Sequence, residues 1–151
     1  MTLFNDNQVD TGMGNFRSLL VVSLLIITLL ILTYCNDNKL TGTVSGIQVK
    51  WHTVTLDFTG LRVSEGQNDP NPFLDYRLQV EFTGPDEQTY NVPGFFAGDG
   101  SGGGTGDVWR VRFTPDQAGA WSYKAEFRTG DEIAINQDQQ GESTAFDGAE
   151  G

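Results

Sequence analysis

The sequence has one cysteine, Cys35, and one histidine, His52. A lone cysteine excludes an intrachain disulfide, so the fold must hold by packing alone. A lone histidine leaves Ser-His-Asp and Cys-His arrangements without a good general base. His52 shares strand parity with Val54, Leu56 and Phe58, which predicts a hydrogen-bonded residue at the rim of an inner face. Basic charge is scarce as well: 9 Lys and Arg stand against 20 Asp and Glu, a formal net charge of −11. That balance excludes nucleic acid, which needs a basic footprint, and peripheral docking on anionic lipid. The carboxylates are numerous but scattered, with no spacing that suggests the facing pair of a glycosidase cleft. No catalytic residue is assigned. The glycine-rich stretch Asp99–Asp107 lacks the alternating oxygen ligands and final glutamate of a calcium loop. Asp69, Asn71 and Asp75 are the only other oxygen cluster, and neither a metal nor a cofactor is expected.

The chain does contain one long apolar run. After a polar flank, residues 1–17, ending in Arg17, Ser18–Tyr34 continues without a charge for 17 residues. This length falls between a signal-peptide core of ~7–15 residues and a spanning helix of about 20. A cleaved signal, a retained membrane anchor and a lipoprotein signal all fit residues 18–35. Cys35 sits where a lipoprotein signal places its lipidated residue, although Tyr34 precedes it where Gly, Ala or Ser is usual. In the plain alternative Cys35 is a membrane-edge thiol beside an interfacial tyrosine. Each of the three readings sends the remainder out of the cytoplasm, to the periplasm or the cell surface, tethered through the N-terminal segment.

Residues 36–46 read as a short polar linker, and from residue 47 the apolar period becomes two, the mark of half-buried strands. Val54, Leu56 and Phe58 alternate with polar neighbours, as do Tyr76, Leu78, Val80 and Phe82. The same holds for Trp109, Val111 and Phe113, and for Trp121, Tyr123, Ala125 and Phe127. No helical period persists for ten residues, so residues 47–151 are predicted to be all-β: an immunoglobulin-like antiparallel β-sandwich, preceded by the N-terminal hydrophobic helix. Gly84-Pro85-Asp86 should close one hairpin, and Pro115–Gly119 is expected to join the next two strands in the same way. Ala97–Asp107, with six glycines in eleven residues, is expected to be a mobile surface loop. The chain stops at Gly151 with no closing strand in evidence, which reads as a C-terminal truncation.

Three aromatic positions break the inward pattern. Trp51 has the opposite parity to Val54, Leu56 and Phe58 and should point outward. Phe95 and Phe96 are adjacent and cannot both face one core from an extended strand. With Phe73 in the neighbouring Asn71-Pro72-Phe73 loop, they are candidates for a sugar-stacking platform or an interdomain docking surface.

Taken in order, Trp51-His-Thr-Val-Thr-Leu-Asp-Phe58, Asn71-Pro-Phe-Leu-Asp-Tyr-Arg-Leu78, Phe82-Thr-Gly-Pro-Asp86 and Val92-Pro-Gly-Phe-Phe-Ala-Gly-Asp-Gly100 resemble one family. Val108-Trp-Arg-Val-Arg-Phe-Thr-Pro-Asp116, Ala118-Gly-Ala-Trp-Ser-Tyr123 and Ala145-Phe-Asp-Gly148 continue the match. It is the N-terminal β-sandwich catalogued as domain of unknown function 5060, found ahead of (β/α)8 barrels in bacterial proteins classed as glycoside hydrolases, some labelled collagen-binding or apiosidase-like. The resemblance implies a non-catalytic accessory module of an exported carbohydrate-active enzyme, with the catalytic barrel downstream in the same polypeptide as its partner. It brings no catalytic residues. The alternatives are a stand-alone carbohydrate-binding domain, with polysaccharide as partner, and an adhesin-like surface domain.

Overall fold

The computed structural model of the chain describes residues 40–151. The hydrophobic run Ser18–Tyr34 and Cys35 lie outside the described residues. Eight strands form: β1 (Thr43–Gly46), β2 (Val54–Ser64), β3 (Tyr76–Thr83), β4 (Thr89–Pro93), β5 (Phe95–Phe96), β6 (Thr105–Phe113), β7 (Ser122–Thr129) and β8 (Glu142–Ser143). They make two separate antiparallel four-stranded sheets, ordered β1-β2-β6-β5 (sheet A) and β4-β3-β7-β8 (sheet B). The all-β expectation holds, with no helix among the described residues.

The alternation read from the sequence sorts the side chains as expected. Leu56 and Phe58 of β2, Trp109 and Val111 of β6, Tyr76, Leu78, Val80 and Phe82 of β3, and Ala125 and Phe127 of β7 are buried together between the sheets. Their outward neighbours are solvated or paired. On sheet A, Arg110 grips Asp57 with two hydrogen bonds of 2.6 and 2.7 Å across the β2–β6 pairing. Phe113, Trp121 and Tyr123 reach the same core but are only half-buried.

The largest core side chain depends on a local irregularity. Between Thr59 and Val63 the β2–β6 register shifts, and Gly60–Arg62, three residues opposite Asp107 alone, bow out of the pairing. The bow frees the Leu61 carbonyl to accept a 3.3 Å hydrogen bond from the Trp109 indole. A buried indole N–H needs such a partner. Gly60 lies so close that a Cβ there would meet the Trp109 ring at 2.5 Å.

Several expectations are corrected. Pro115–Gly119 does not close a hairpin: β6 belongs to sheet A and β7 to sheet B, so this segment carries the chain from one sheet to the other. Thr43–Gly46, read as linker from its polar composition, pairs with β2 as β1. His52 is not a core-edge residue but exposed, with Nδ1 3.2 Å from the Lys50 carbonyl. Parity failed there because Trp51, at φ +65°, turns the chain just before β2 begins.

The glycine-rich segment is a built turn. The Asp99 carboxylate accepts hydrogen bonds from the Ser101 and Gly103 amides at 2.8 and 2.9 Å. The Val108 amide donates to Gly98 at 3.0 Å, locking the turn to β6. At Gly98, with φ +58°, a Cβ would strike the Gly103 carbonyl. Glycine therefore serves close backbone packing here, as well as conformational freedom.

The edge of β7 is lined rather than bare. Beyond β8, Ala149 accepts from the Ala125 amide, and Tyr123 and Gly151 exchange backbone hydrogen bonds of 2.8 and 3.1 Å. Between these contacts Phe146 drops into the core, stacked on Phe58 and Phe127 with ring centroids 4.5 and 4.3 Å away.

Candidate functional site

The four aromatic candidates fall into two places. Phe95 and Phe96 pair with Arg110 and Trp109 of β6, and adjacency sends them to opposite sides. Phe96 is buried against Trp109, with ring centroids 5.2 Å apart. Phe95 faces outward on sheet A, 43% exposed, with the Arg112 guanidinium 5.8 Å from its ring. Phe96 thus leaves the list of surface candidates, because the strand pairing that exposes Phe95 commits it to the core.

Phe73 joins this edge from the β2–β3 loop. Its ring, 52% exposed, meets Phe96 edge-on at 6.4 Å. Asp75 holds the loop in place: its carboxylate accepts from the Asn71 amide at 2.6 Å and the Glu132 amide at 3.1 Å. The Phe73 amide in turn donates to Asn71 Oδ1 at 2.9 Å. The Asn71 and Asp75 oxygens are thereby occupied by backbone amides. Among the described residues no group of three or more His, Cys, Asp and Glu side chains is placed to hold a metal ion. Between Phe73, Phe95, Pro93 and Gln137 lies a shallow cavity of about 330 Å³, floored by Phe96 and Trp109.

Trp51 belongs to neither cavity floor nor that edge. Its amide donates to the Pro115 carbonyl at 2.8 Å, just past the end of β6, and its ring is 66% exposed beneath the Lys50 ammonium at 4.9 Å. The outward placement expected for Trp51 is met. Expecting it to act with Phe73 and Phe95 is not, since it stands near the last residues of β6 while they meet its middle.

Sequence reasoning missed a further opening. Beside the Trp51 turn the two sheets part around an apolar groove of about 660 Å³, walled by Val44, Val49, Val54, Phe113, Trp121 and Tyr123. Val44 and Val49, which line it, and Leu40 and Ile47 of the same stretch are all large, apolar and exposed. The available signal was these four residues scattered through a stretch otherwise polar enough to read as a linker.

Burial and hydrogen bonding shift few titrating groups. The Ser101 and Gly103 amides hold the Asp99 carboxyl below the usual carboxylate range, and the Gln117 amide does the same for Asp86. Tyr90 donates to Asp116 at 2.8 Å, and this hydrogen bond raises its phenol above the ordinary value.

The arrangement is that of a two-sheet all-β domain presenting aromatic and apolar contact surfaces. Residues 48–128 match the family model of a domain of unknown function, DUF5060. The chain belongs to that family, as its ordered motifs suggested. No curated protein matches it. Among solved structures, a putative glycoside hydrolase from Bacteroides vulgatus ATCC 8482, determined at 1.80 Å, is similar at 26% identity over 68% of this chain, with a TM-score of 0.42. The match spans 14% of that protein's length.

Proposed function

We propose that this domain is a non-catalytic accessory module of an exported, membrane-tethered carbohydrate-active enzyme, holding a catalytic barrel of the same polypeptide. Membership of the DUF5060 family carries the reading, because the motif resemblance places such domains ahead of barrels. Strand order supports the immunoglobulin-like form of the module. With the strands lettered in chain order, β1-β2-β6-β5 reads A-B-E-D and β4-β3-β7-β8 reads C′-C-F-G, the arrangement of that fold. The tether is the uninterrupted apolar run Ser18–Tyr34, which follows Arg17.

The docking surface in this reading is the Phe73–Phe95 edge. Two large rings stand exposed there on a backbone fixed by Asp75 and by the β5–β6 pairing, so little order need be gained on contact. The test starts from the coding sequence beyond codon 151. A barrel with two carboxylates in one cleft is expected, and an immediate stop would overturn the reading. In the longer protein, hydroxyl-radical labelling of Phe73 and Phe95 should fall relative to the 151-residue chain. Cys35→Ala separates the tethers: lipidation predicts loss of normal processing, whereas a plain anchor leaves migration and membrane fractionation unchanged.

A further inference from the structure

The outer face of sheet B carries another depression, which none of the aromatic candidates lines. It is a groove of about 440 Å³ lined mainly by polar residues of β4, β3 and β7. Register fixes its rungs: Asn91, Glu81 and Lys124 form one row across the three strands, and Gln79 stands beside Glu126 in the next. Strand spacing of ~4.8 Å puts these head groups at near-regular intervals. The far wall is the turn at 145–148. There Asp147 accepts from the Phe127 amide at 2.7 Å and the Ser143 hydroxyl at 2.6 Å, and pairs with Arg128 at 3.4 Å. Arg128 also reaches Glu126 at 3.3 Å. One side of the groove is therefore pinned in position. On the other, the side chains of Gln79, Glu81, Asn91 and Lys124 make no hydrogen bond or ion pair among the described residues.

We propose that this groove binds a neutral, polyhydroxylated chain, an oligosaccharide segment laid across the strands. Its walls mix groups that only accept (Glu81, Glu126), groups that only donate (Lys124, Arg128) and amides that do both (Gln79, Asn91). A sugar hydroxyl both donates and accepts, so a single uncharged chain satisfies all three kinds. An anionic ligand would meet the carboxylates and a cationic one the ammonium and guanidinium. An extended peptide would seek a sheet edge, whereas here the backbone groups of β3 are paired on both sides. Gln79 also lines the cavity beside Phe73 and Phe95, but Glu81, Asn91, Lys124 and Glu126 do not, so this groove and the docking edge remain separable.

Native affinity electrophoresis of the full chain in mild detergent tests it, with gels containing xylan, mixed-linkage β-glucan or galactomannan, and polygalacturonate as the charged control. At least one neutral polymer should retard the protein, and polygalacturonate should not. Gln79→Ala/Asn91→Ala should weaken that retardation about tenfold, the effect of losing two modest hydrogen-bonding groups. An unchanged melting temperature would show this variant still folded. Trp51→Ala and Phe95→Ala should bind as before. Retardation by no neutral polymer, by polygalacturonate alone, or retardation that survives Gln79→Ala/Asn91→Ala or is lost with Trp51→Ala or Phe95→Ala, would overturn the proposal.

Discussion

The two ends of the domain were built from the same alternating pattern and came out differently. Around Trp109 the sheets are closed: Tyr76, Phe96, Trp109, Phe127 and Phe146 interlock with ring centroids 4.3 to 5.9 Å apart, and each is nearly inaccessible to solvent. Around Phe113 the rings of Phe82, Tyr90 and Trp121 also touch, at 4.3 to 5.8 Å, yet the apolar groove leaves Phe113 and Trp121 half-buried. The difference lies in what covers each end. Phe146 and the bow at Gly60 seal the first. At the second, the Trp51 turn and the crossing segment 115–119 leave a gap. For a strand residue, facing inward is thus not enough for burial; a cover from elsewhere in the chain completes it.

The sharpest way to break this comparison is to delete one ring at each end. Trp109→Ala should cost about 3–5 kcal/mol, since it removes a fully buried ring and strands the Leu61 carbonyl. Trp121→Ala should cost roughly 2 kcal/mol, because part of that ring already faces water. Urea denaturation of both variants measures the gap, and equal losses would show that the second end is as closed as the first.

A smaller effect separates the ion pair from the core beneath it. Asp57→Asn leaves the shape of sheet A intact but removes the charge that Arg110 grips across β2 and β6, where both groups are partly exposed. A loss of about 1 kcal/mol is expected, shrinking at high salt.

Acid should loosen the glycine-rich turn before the core. Asp99 has a depressed folded-state pKa, so its stabilisation is present above the ordinary carboxylate value of about 4 and is lost as pH falls through the lower folded value. Amide exchange at Ser101 and Gly103, corrected for intrinsic rate, should speed up as pH falls below the ordinary carboxylate value of about 4 while Val80 and Val111 stay protected. The smallest change expected is from Trp51→Gly. It removes an exposed ring and relieves a left-handed backbone, so stability should stay within about 0.5 kcal/mol of the parent.

The sequence by itself determined the strands and their inward faces. The two-residue period from Tyr76 to Phe82 and from Trp121 to Phe127 needs no tertiary information, because successive side chains on a strand point to opposite sides. The split of Phe95 from Phe96 followed from the same geometry, and the ordered motifs identified the family. Sheet membership was another matter. Pro115–Gly119 has the composition of a hairpin turn, but whether β7 returns beside β6 or crosses to β3 depends on long-range pairing that local turn chemistry does not encode. His52 escaped parity because Trp51, with positive φ, cancels the count just before β2. Thr43–Gly46 became a strand only because β2 offered an edge, and Asp99 could organise six glycines only once the turn brought two amides to its carboxylate. The groove on sheet B was equally invisible, since its residues come from three strands and a turn as much as 69 residues apart in sequence, from Gln79 to Gly148. Local alternation fixes which way a side chain points, and only the assembled sheets decide what it meets there.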